Sequence, residues 1–489
     1  MFNTEDVTVL LAAAGAGKTT YLLDCVEKDL QTYRPQELSF VSYTRKGAYE
    51  GKDRIVRRFN IDPDQLDYFR TLHSLTFREL GRDENKVFTQ KHVKKFNEIF
   101  GMKIGNPIGN EAKSRHDKML SYYDSVRAGK VDIYEDTGIP NFSKAEYDRF
   151  INAYEGYKRE FGIIDYTDSL ELFVKRGKSI PVKVAYIDEA QDLTSLQWKV
   201  CLTAFQDAEK IYIAGDDYQS IYTYAGAKPQ VLVQLSEKYR TVKLETSYRL
   251  PKKVYKIARA VTEMIGMKVE KDYVPFKDED GVVERINSYS QIANKVAIRQ
   301  EESWLMLFRN NYHISFFEKE LQSHAILYHN SRGFCIGRGR MQLLNKYYNF
   351  RKLGFGDEKT KALFAKEYGI TDFDNDIVES ELIKGEDKYV IQHYIDKYGI
   401  HELKEAAKRE PNIMVSTIHK VKGAEAKNVA VFLDCTMKVA KNLTRNFDSE
   451  LRVLYVAMTR AKDNLYLVRS RANYGLDSLV DVLMEYAEL

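Results

Sequence analysis

The chain has 489 residues, of which 44% are hydrophobic and 30% charged, a composition that excludes an intrinsically disordered protein. Lysine and arginine number 75 against 71 aspartate and glutamate residues, so the net charge of +4 does not by itself indicate a nucleic-acid partner. The four cysteines are widely separated and no apolar run reaches about 18 residues, so we expect a cytoplasmic protein without a zinc site, a disulfide framework or a membrane span.

Short apolar runs recur along the chain, and helical patterns such as Thr19–Leu30 and Leu193–Phe205 lie between them. Several of these runs lack polar alternation, which is typical of strands buried on both faces of a parallel sheet. Alternating strands and helices indicate an α/β fold. The predicted strands are Val7–Ala12, Leu38–Tyr43, Val184–Ile187, Lys210–Ala214, Val242–Leu244, Trp304–Phe308, Ile413–Thr417, Asn428–Leu433 and Leu465–Val468.

Two regions interrupt this alternation and are predicted to be inserted subdomains. The first is helical and rich in lysine and tyrosine, and the second begins with glycine and arginine before it becomes helical and acidic. We therefore predict two α/β domains, each with one insert. The predicted domains are 1–80 with 161–245 and 246–320 with 410–489, and the predicted inserts are 81–160 and 321–409.

The first predicted strand runs into Ala12-Ala-Ala-Gly-Ala-Gly-Lys-Thr19, which matches the phosphate-loop pattern G-x-x-x-x-G-K-[ST] except that Ala12 replaces the first glycine. The two glycines let backbone N–H groups approach phosphate, and the following helix adds the positive end of its dipole. Lys18 is expected to contact the β- and γ-phosphates of ATP, and Thr19 to bind Mg²⁺. The alternative is an ordinary turn of small residues. The predicted nucleotide-binding residues here are Ala14, Gly15, Ala16, Gly17, Lys18, Thr19 and Thr20.

Two adjacent carboxylates end a predicted strand in the run Val182-Lys-Val-Ala-Tyr-Ile-Asp-Glu-Ala-Gln-Asp192. ATP hydrolysis needs one carboxylate near Mg²⁺ and a second that orients or deprotonates water. We predict that Asp188 supports the metal and that Glu189 acts as the base. The alternative is a solvated helix start, because aspartate is a favoured N-cap residue.

Together with further segments in the same order, these motifs resemble the superfamily 1 (SF1A) DNA helicases of the UvrD/Rep/PcrA family. The resemblance implies two RecA-like P-loop domains with parallel sheets (1A and 2A), each carrying a mostly helical insert. It also implies ATP-driven movement along single-stranded DNA with 3′→5′ polarity, and unwinding at junctions of single- and double-stranded DNA. The further segments are Phe40–Ala48, Thr71–Ser74, Gly215–Ala227, Thr246–Leu250, Val415–Glu425 and Glu450–Lys462.

The resemblance assigns roles to individual residues around the nucleotide. Gln219 is expected to sense the γ-phosphate, and Tyr248 to stack on adenine. Arg249 and Arg460, from motifs far apart in the chain, would contact the γ-phosphate. An arginine at the γ-phosphate stabilises the negative charge of the phosphoryl-transfer transition state. Glu425 would contact the ribose. For the segment around Arg460, an amphipathic helix without a catalytic role is the alternative.

The resemblance also assigns the DNA contacts. Aromatic side chains in these segments would stack on bases without regard to sequence, as a motor requires. The alternative for the tyrosines is an ordinary place in the core or on the surface, since the chain has 34 tyrosines. Ala225 stands where the family usually has arginine, so a DNA contact made by that arginine is not expected here. The predicted DNA-binding residues are Tyr43, Thr44, Thr71, His73, Tyr222, Tyr224, Thr417 and His419.

Residues 91–130 of the first insert form a basic region that is a candidate for contact with duplex phosphates. A solvated charged face is the alternative. More broadly, three other functions remain open: a translocase that displaces proteins without unwinding, a nucleotide-gated scaffold, and a small-molecule phosphotransferase. Replication or repair proteins are the expected protein partners. The basic residues are Lys91, Lys94, Lys95, Lys103, Lys113, Arg115, Lys118, Arg127 and Lys130.

Overall fold

The computed structural model of the chain contains two compact units. The first comprises Met1–Tyr248 and Gly266–Val274, and the second comprises Arg249–Ile265 and Pro275–Leu489. A short segment that follows the first helix of the second unit therefore belongs to the first. The structure describes residues 2–81, 86–105, 114–129, 142–337, 339, 341–342, 344–345, 358–368, 388–409 and 412–489.

The first unit contains a six-stranded sheet in which every neighbouring pair is parallel. Its strands are β1 (Val7–Ala12), β2 (Leu38–Ser42), β3 (Phe69–Thr71), β4 (Val184–Asp188), β5 (Lys210–Gly215) and β6 (Arg240–Leu244), and the short strand β7 (Thr246–Ser247) follows them. Their order across the sheet is β3-β2-β4-β5-β1-β6. Val9 and Leu11 join one apolar core and Leu10 joins another, because successive side chains of a strand point to opposite faces. Both faces are therefore covered, as the unalternating apolar runs predict.

Helices supply the other half of each core of the first unit. Leu22 and Ile55 belong to the core that contains Leu10, whereas Leu75 and Leu232 belong to the core that contains Val9. The helices are α1 (Lys18–Asp29), α2 (Arg45–Phe59), α3 (Leu72–Glu79), α4 (Gln90–Phe100), α5 (Arg115–Arg127), α6 (Lys144–Glu160), α7 (Tyr166–Arg176), α8 (Ser195–Ala204) and α9 (Pro229–Lys238).

Helices α4, α5 and α6 share a separate core that is rich in aromatic side chains. Phe88, Phe96, Phe150, Tyr154 and Tyr157 are all buried within it. Most of these ring pairs meet edge to face, which adds attraction beyond the apolar area that they bury. This part of the chain thus forms a helical subdomain with its own core, within the predicted first insert.

The second unit contains a seven-stranded sheet that is parallel except for a short antiparallel pair at one edge. After β8 (Val274–Pro275), its strands are β9 (Val282–Ile286), β10 (Trp304–Phe308), β11 (His329–Asn330), β12 (Gly333–Phe334), β13 (Ile413–Thr417), β14 (Ala426–Phe432) and β15 (Ala461–Val468). The order across the sheet is β12-β11-β13-β10-β14-β15-β9. Thr417 and Phe308 therefore lie at the carboxyl edge of this sheet, and Ala426 and Ala461 lie at its amino edge.

The helix Phe447–Met458 (α16) is deeply packed within the second unit, since every residue from Ser449 to Met458 is buried. A separate core that includes Phe334, Tyr394 and Leu403 lies within the predicted second insert. The helices are α10 (Lys252–Glu263), α11 (Tyr289–Ile298), α12 (Asn311–Ser323), α13 (Glu358–Tyr368), α14 (Lys388–Ala406), α15 (Met437–Arg445), α16 (Phe447–Met458) and α17 (Asp477–Tyr486).

The predicted α/β class is confirmed, and the strands Val7–Ala12, Trp304–Phe308 and Ile413–Thr417 have the predicted bounds. Phe69–Thr71 and Val282–Ile286 were not predicted as strands. Residues 246–248 and Gly266–Val274, which lie in the predicted range 246–320, belong to the first compact unit. Within the described ranges, no helix combines the length and the apolar composition that crossing a bilayer requires.

Candidate active site

The loop between β1 and α1 is held by the residues that follow β6. The Ser247 hydroxyl donates a 2.7 Å hydrogen bond to the Ala14 carbonyl, and the Tyr248 N–H donates at 3.0 Å to the Gly15 carbonyl. Because the peptide unit is planar and trans, holding the Ala14 carbonyl turns the Gly15 N–H to the opposite side. Gly15 and Gly17 have φ values of 75° and 79°, which glycine adopts without steric strain. Backbone donors and the start of a helix thus meet in an arrangement that suits phosphate.

Lys18, the first residue of α1, contacts both carboxylates of the acidic pair. Its Nζ lies 3.0 Å from Asp188 Oδ1 and 2.5 Å from Glu189 Oε1. Burial alone would lower the pKa of Lys18, but the two carboxylates raise it overall, so the amine stays charged. Burial raises the pKa of Asp188, and Lys18 opposes that shift. Thr19 and Thr20 follow in the first turn of the helix. Because Lys18 contacts both carboxylates, the loop and the acidic pair form one polar site.

Glu189 has a left-handed backbone conformation, with φ 55° and ψ 37°. For a residue with a Cβ this conformation costs about 1–2 kcal/mol, and such strain is concentrated at functional sites. The strained turn directs the Glu189 side chain to Lys18 on one side and to Gln191 on the other, where Gln191 Nε2 donates at 2.5 Å to Glu189 Oε2. The adjacent residues Asp188 and Glu189 can therefore take different roles.

A chain of hydrogen bonds leads from Glu189 to Gln219. Gln191 Oε1 accepts from the Asp216 N–H at 3.0 Å, and Asp216 Oδ2 accepts from Gln219 Nε2 at 2.7 Å. All of these groups belong to the first unit, and Gln191 and Asp216 are buried. The predicted base and the predicted γ-phosphate sensor are thus joined by two further side chains, Gln191 and Asp216.

Three predicted stacking residues form one aromatic group in the first unit. The ring centroids of Tyr43 and Tyr222 are 5.4 Å apart, and those of Tyr222 and Tyr224 are 6.4 Å apart. Tyr224 is 60% exposed, whereas Tyr43 and Tyr222 are half-buried. An exposed ring supported by two others is a platform on which a base can stack.

The remaining predicted DNA contacts of the first unit lie at the starts of two helices. Thr44 is exposed and caps α2 by accepting the Gly47 N–H at 3.0 Å. Thr71 caps α3 by accepting the Ser74 N–H at 3.3 Å, and His73 lies in the first turn of that helix. Helix starts favour anionic groups, so both positions suit a phosphate of the DNA backbone.

Four charged residues meet at the amino edge of the sheet of the second unit. Glu425 accepts contacts of 2.6 Å from both Arg249 Nε and Lys462 Nζ. Burial alone would raise the pKa of Glu425, but Lys462 and Arg249 lower it overall. Arg460 is 2% exposed, and its Nε donates at 2.9 Å to the carbonyl of Val456. Three cations and one carboxylate therefore give this group of four residues a net positive charge.

The predicted DNA contacts of the second unit follow β13. Thr417 is 6% exposed and therefore presents little surface, whereas His419 is half-buried in the turn Ile418–Val421. At the same edge of the sheet, Arg309 follows β10 and binds both carboxylate oxygens of Glu450, at 2.7 and 2.9 Å. Arg309 thus anchors the buried helix α16 that leads to Arg460.

The basic region of the first insert contains one residue that the prediction placed wrongly. The Arg127 side chain is only 8% exposed and contacts Asp165, Asp168 and Glu171. A guanidinium engaged with three carboxylates holds α5 to α7 instead of facing duplex phosphates. Lys113 and Lys130 lie outside the described residues. The other basic residues of the region are exposed: Lys91, Lys94, Lys95, Lys103, Arg115 and Lys118.

Two polar residues of these sites were not singled out from the sequence. Gln191 lies within the quoted acidic run, but its role depends on Asp216, which comes 25 residues later. Lys462 ends a motif segment, but its role depends on Glu425, which lies in the connection between β13 and β14. A charged or amide residue within a motif segment indicates that it holds another site residue in place. Which residue it holds becomes clear only from the fold.

Comparison with known proteins identifies the family. The model of the UvrD/REP helicase N-terminal domain matches residues 1–240, and that of the UvrD-like helicase C-terminal domain matches residues 412–468. Together these two models cover more than half of the chain.

Curated relatives agree with these matches. The ATP-dependent DNA helicase Rep of Salmonella typhimurium is 22% identical over 357 residues, which cover 66% of this chain and 53% of that protein. The protein YjcD of Bacillus subtilis is 23% identical, with 95% of this chain and 77% of that protein covered. The ATP-dependent DNA helicase PcrA of Staphylococcus epidermidis is 25% identical over 53% of this chain and 38% of that protein. The chain thus matches about half the length of Rep. With its motifs in the family's order and both domain models matched, the chain belongs to the UvrD/Rep/PcrA family of superfamily 1 helicases.

Proposed function

We propose that the chain is an ATP-dependent motor that moves along single-stranded DNA and separates the strands of a duplex, with 3′→5′ polarity. The observation that carries this proposal is the contact of Lys18 with both Asp188 and Glu189. It joins the phosphate-binding loop to two adjacent carboxylates, of which Glu189 has a strained backbone, and this is the donor set that hydrolysis of a nucleoside triphosphate requires. Rep and PcrA are named as ATP-dependent DNA helicases, which supports the same function for this chain.

The residues of the first unit fit Mg²⁺ and the phosphates of ATP. The backbone donors of the loop and Lys18 would hold the phosphates, while Thr19 and Asp188 would hold Mg²⁺, which prefers oxygen ligands. The metal would neutralise charge on the phosphate oxygens. Glu189, placed beside Asp188 by its left-handed conformation, would orient and deprotonate the attacking water. Tyr248 is 56% exposed and adjoins the loop through its N–H, and its ring would stack on adenine.

Residues of the second unit complete the proposed chemistry. Arg249 and Arg460 would stabilise the negative charge that develops on the γ-phosphate, and Glu425 would bind the ribose. Both arginines are held by defined partners, Arg249 by Glu425 and Arg460 by the carbonyl of Val456. Their guanidinium groups are therefore restrained before any nucleotide binds, which lowers the entropy lost in forming the contacts.

Single-stranded DNA is the proposed track. The rings of Tyr43, Tyr222 and Tyr224 would stack on bases, and Thr44 and Thr71 would contact phosphates at helix starts. His73, Thr417 and His419 are further proposed DNA contacts. Junctions of single- and double-stranded DNA, replication or repair proteins as partners, and a cytoplasmic location are part of the same proposal.

ATP hydrolysis by the purified chain, with and without single-stranded DNA, tests the proposal. We expect strong stimulation by DNA in the wild type and near-complete loss of turnover in Glu189→Gln, which keeps the shape of the side chain and removes the base. Glu209→Gln is the matched control, because Glu209 is an exposed carboxylate of the same unit that pairs with Lys183. Hydrolysis that is indifferent to DNA, or unchanged in Glu189→Gln, would contradict the proposal.

A strand-displacement assay beside a translocation assay then separates the proposed helicase from a related motor. We expect both activities, each abolished by Lys18→Ala. Translocation and displacement of bound protein without strand separation would instead identify a motor that clears single strands. Full biological activity of Lys18→Ala would identify a scaffold that does not need turnover.

A further inference from the structure

The segment Gly266–Val274 returns from the second unit to the first. The helix α10 before it and the strand β9 after it belong to the second unit, whereas the segment itself belongs to the first. The chain therefore passes between the two units at each end of this segment. Lys271 lies within it and has a side chain that is 0% exposed.

Lys271 is buried against the segment that contains Gln219. Its Nζ lies 3.1 Å from Asp216 Oδ1, contacts Asp217 Oδ1, and lies 3.6 Å from the centre of the Tyr218 ring. A buried ammonium is stable only when it is paired, and here two carboxylates and an aromatic face surround it. Burial alone would lower the pKa of Lys271, but Asp216 and Asp217 raise it overall, so the amine remains protonated.

Three other hydrogen bonds fasten the returning segment at the same place. The Val269 N–H donates to Asp217 Oδ2 at 2.9 Å, and the Tyr218 hydroxyl donates to the Val269 carbonyl at 2.9 Å. Lys243 Nζ donates to the Glu270 carbonyl at 2.7 Å. The attachment is therefore specific and polar, and it is centred on Asp216 and Asp217.

Asp216 joins this attachment to the catalytic groups. One of its carboxylate oxygens binds Lys271, and the other accepts the hydrogen bond from Gln219 Nε2 at 2.7 Å. Its N–H donates to Gln191, which in turn binds Glu189. Without Lys271, the buried Asp216 and Asp217 would lose the counter-charge that they share, and a buried charge without a partner is costly.

We propose that Lys271 is a positioning residue: by holding Asp216, it keeps Gln219 in place for hydrolysis and ties the nucleotide-sensing residues to the segment that leads into the second unit. This inference rests on the proposed function. It assigns Lys271 to the hydrolytic step and to its stimulation by DNA, and not to the binding of ATP.

The test uses Lys271→Met, which keeps the length of the side chain and removes its charge, and Lys158→Met as the matched control. Lys158 is also a buried lysine of the first unit, and it lies 2.7 Å from both Asp165 and Asp168 with the Tyr154 ring at 4.8 Å. Each variant thus removes a buried ammonium group from two aspartates and a tyrosine ring, although Asp165 and Asp168 keep Arg127 as a partner. The readouts are the thermal midpoint, kcat and KM for ATP at saturating single-stranded DNA, and nucleotide affinity.

We expect Lys271→Met to lower kcat at least tenfold while KM and nucleotide affinity change less than twofold. Lys158→Met is expected to lower the thermal midpoint by a smaller amount, because Arg127 still pairs with both aspartates, and to leave kcat unchanged. Because Lys271 acts through Gln219, the double variant Lys271→Met with Gln219→Ala should be no slower than Gln219→Ala alone. Equal kinetics in the two lysine variants, or multiplied losses in the double variant, would overturn the inference.

A second variant keeps the test decisive if Lys271→Met folds poorly. Lys271→Met combined with Asp217→Asn removes one buried negative charge together with the positive one, while Asp216 still lacks its partner. A folded protein with low kcat is expected, and wild-type kcat in that protein would overturn the inference. A wild type without DNA-stimulated hydrolysis would refute the proposed function itself, whereas normal Lys271→Met kinetics beside an impaired Gln219→Ala would refute only the role of Lys271.

Discussion

Replacing Arg127 by methionine should destabilise the first unit without weakening its hold on DNA. Arg127 is 8% exposed and contacts Asp165 and Asp168, whose side chains are 11% and 17% exposed. Removing one partner of a buried ion pair costs about 3–5 kcal/mol. Because Lys158 still lies 2.7 Å from both aspartates, we expect the lower end of that range, about 3 kcal/mol. Glu171 is 41% exposed and adds little, since solvent screens it.

The loss should depend on pH in a defined direction. Burial raises the pKa of Asp165, but Arg127 and Lys158 lower it overall. A carboxyl group whose pKa is lower in the folded state stabilises the fold above its unfolded pKa of about 3.9, and this contribution is lost as the pH falls through the folded value. The difference in unfolding free energy between the wild type and Arg127→Met should therefore be at its full size near pH 7 and shrink as the pH falls below about 4.

Urea unfolding at several pH values measures this difference, and binding of DNA at several salt concentrations measures the second part of the prediction. Lys118→Met is the control, because Lys118 is an exposed cation on the same helix, where a substitution changes stability by about 0.5 kcal/mol or less. If Arg127 instead contacted a phosphate, its loss would reduce the salt slope of DNA binding by about 1. Unchanged stability together with such a reduced slope would refute the assignment of Arg127 to the fold.

Three further substitutions probe the proposed nucleotide and DNA contacts. Gly17→Ala meets no atom within 4 Å but must adopt a φ of 79°, so about 1–2 kcal/mol of strain should weaken binding of a fluorescent ATP analogue, and unchanged affinity would contradict this. Tyr224→Ala should weaken binding of single-stranded DNA by about 1–3 kcal/mol in fluorescence anisotropy, whereas Tyr224→Phe should keep the affinity. Arg460→Ala should slow single-turnover hydrolysis by about a thousandfold with little change in ATP affinity, and a loss confined to affinity would argue for a binding role alone.

The parts of the fold that were predictable share a local cause. A strand buried on both faces must be a continuous apolar run, so Trp304–Phe308 and Ile413–Thr417 are visible in the sequence with their true ends. Phe69–Thr71 and Val282–Ile286 lie at the edges of their sheets, and they include polar residues such as Arg70 and Glu284. Their strand conformation depends on pairing with a neighbouring strand, and the local sequence does not show which segments pair.

The site follows the same division. The glycine loop and the acidic pair were predictable, because each directly follows a buried parallel strand, and ligands bind at the carboxyl ends of such strands. The partners that hold them were not, because Gln191 binds Asp216 and Lys271 binds Asp217 across 25 and 54 positions of the chain. Arg127 shows the opposite error, since a basic run predicts an exposed face unless carboxylates from another helix reach it.

The topology of the second sheet joins the proposed DNA contacts Thr417 and His419 to the proposed ribose contact Glu425. Strands β13, β10 and β14 are parallel, so the chain that leaves Thr417 at the carboxyl edge must return along the sheet to begin β14 at the amino edge. The five residues of β10 span about 16 Å, and the short connection that covers this distance contains the turn Ile418–Val421 and ends at Glu425. A longer loop would absorb a displacement at its start more readily than this connection. We therefore expect movement of the proposed DNA-contacting turn to shift Glu425 and, through its ion pair, Arg249, within a single unit.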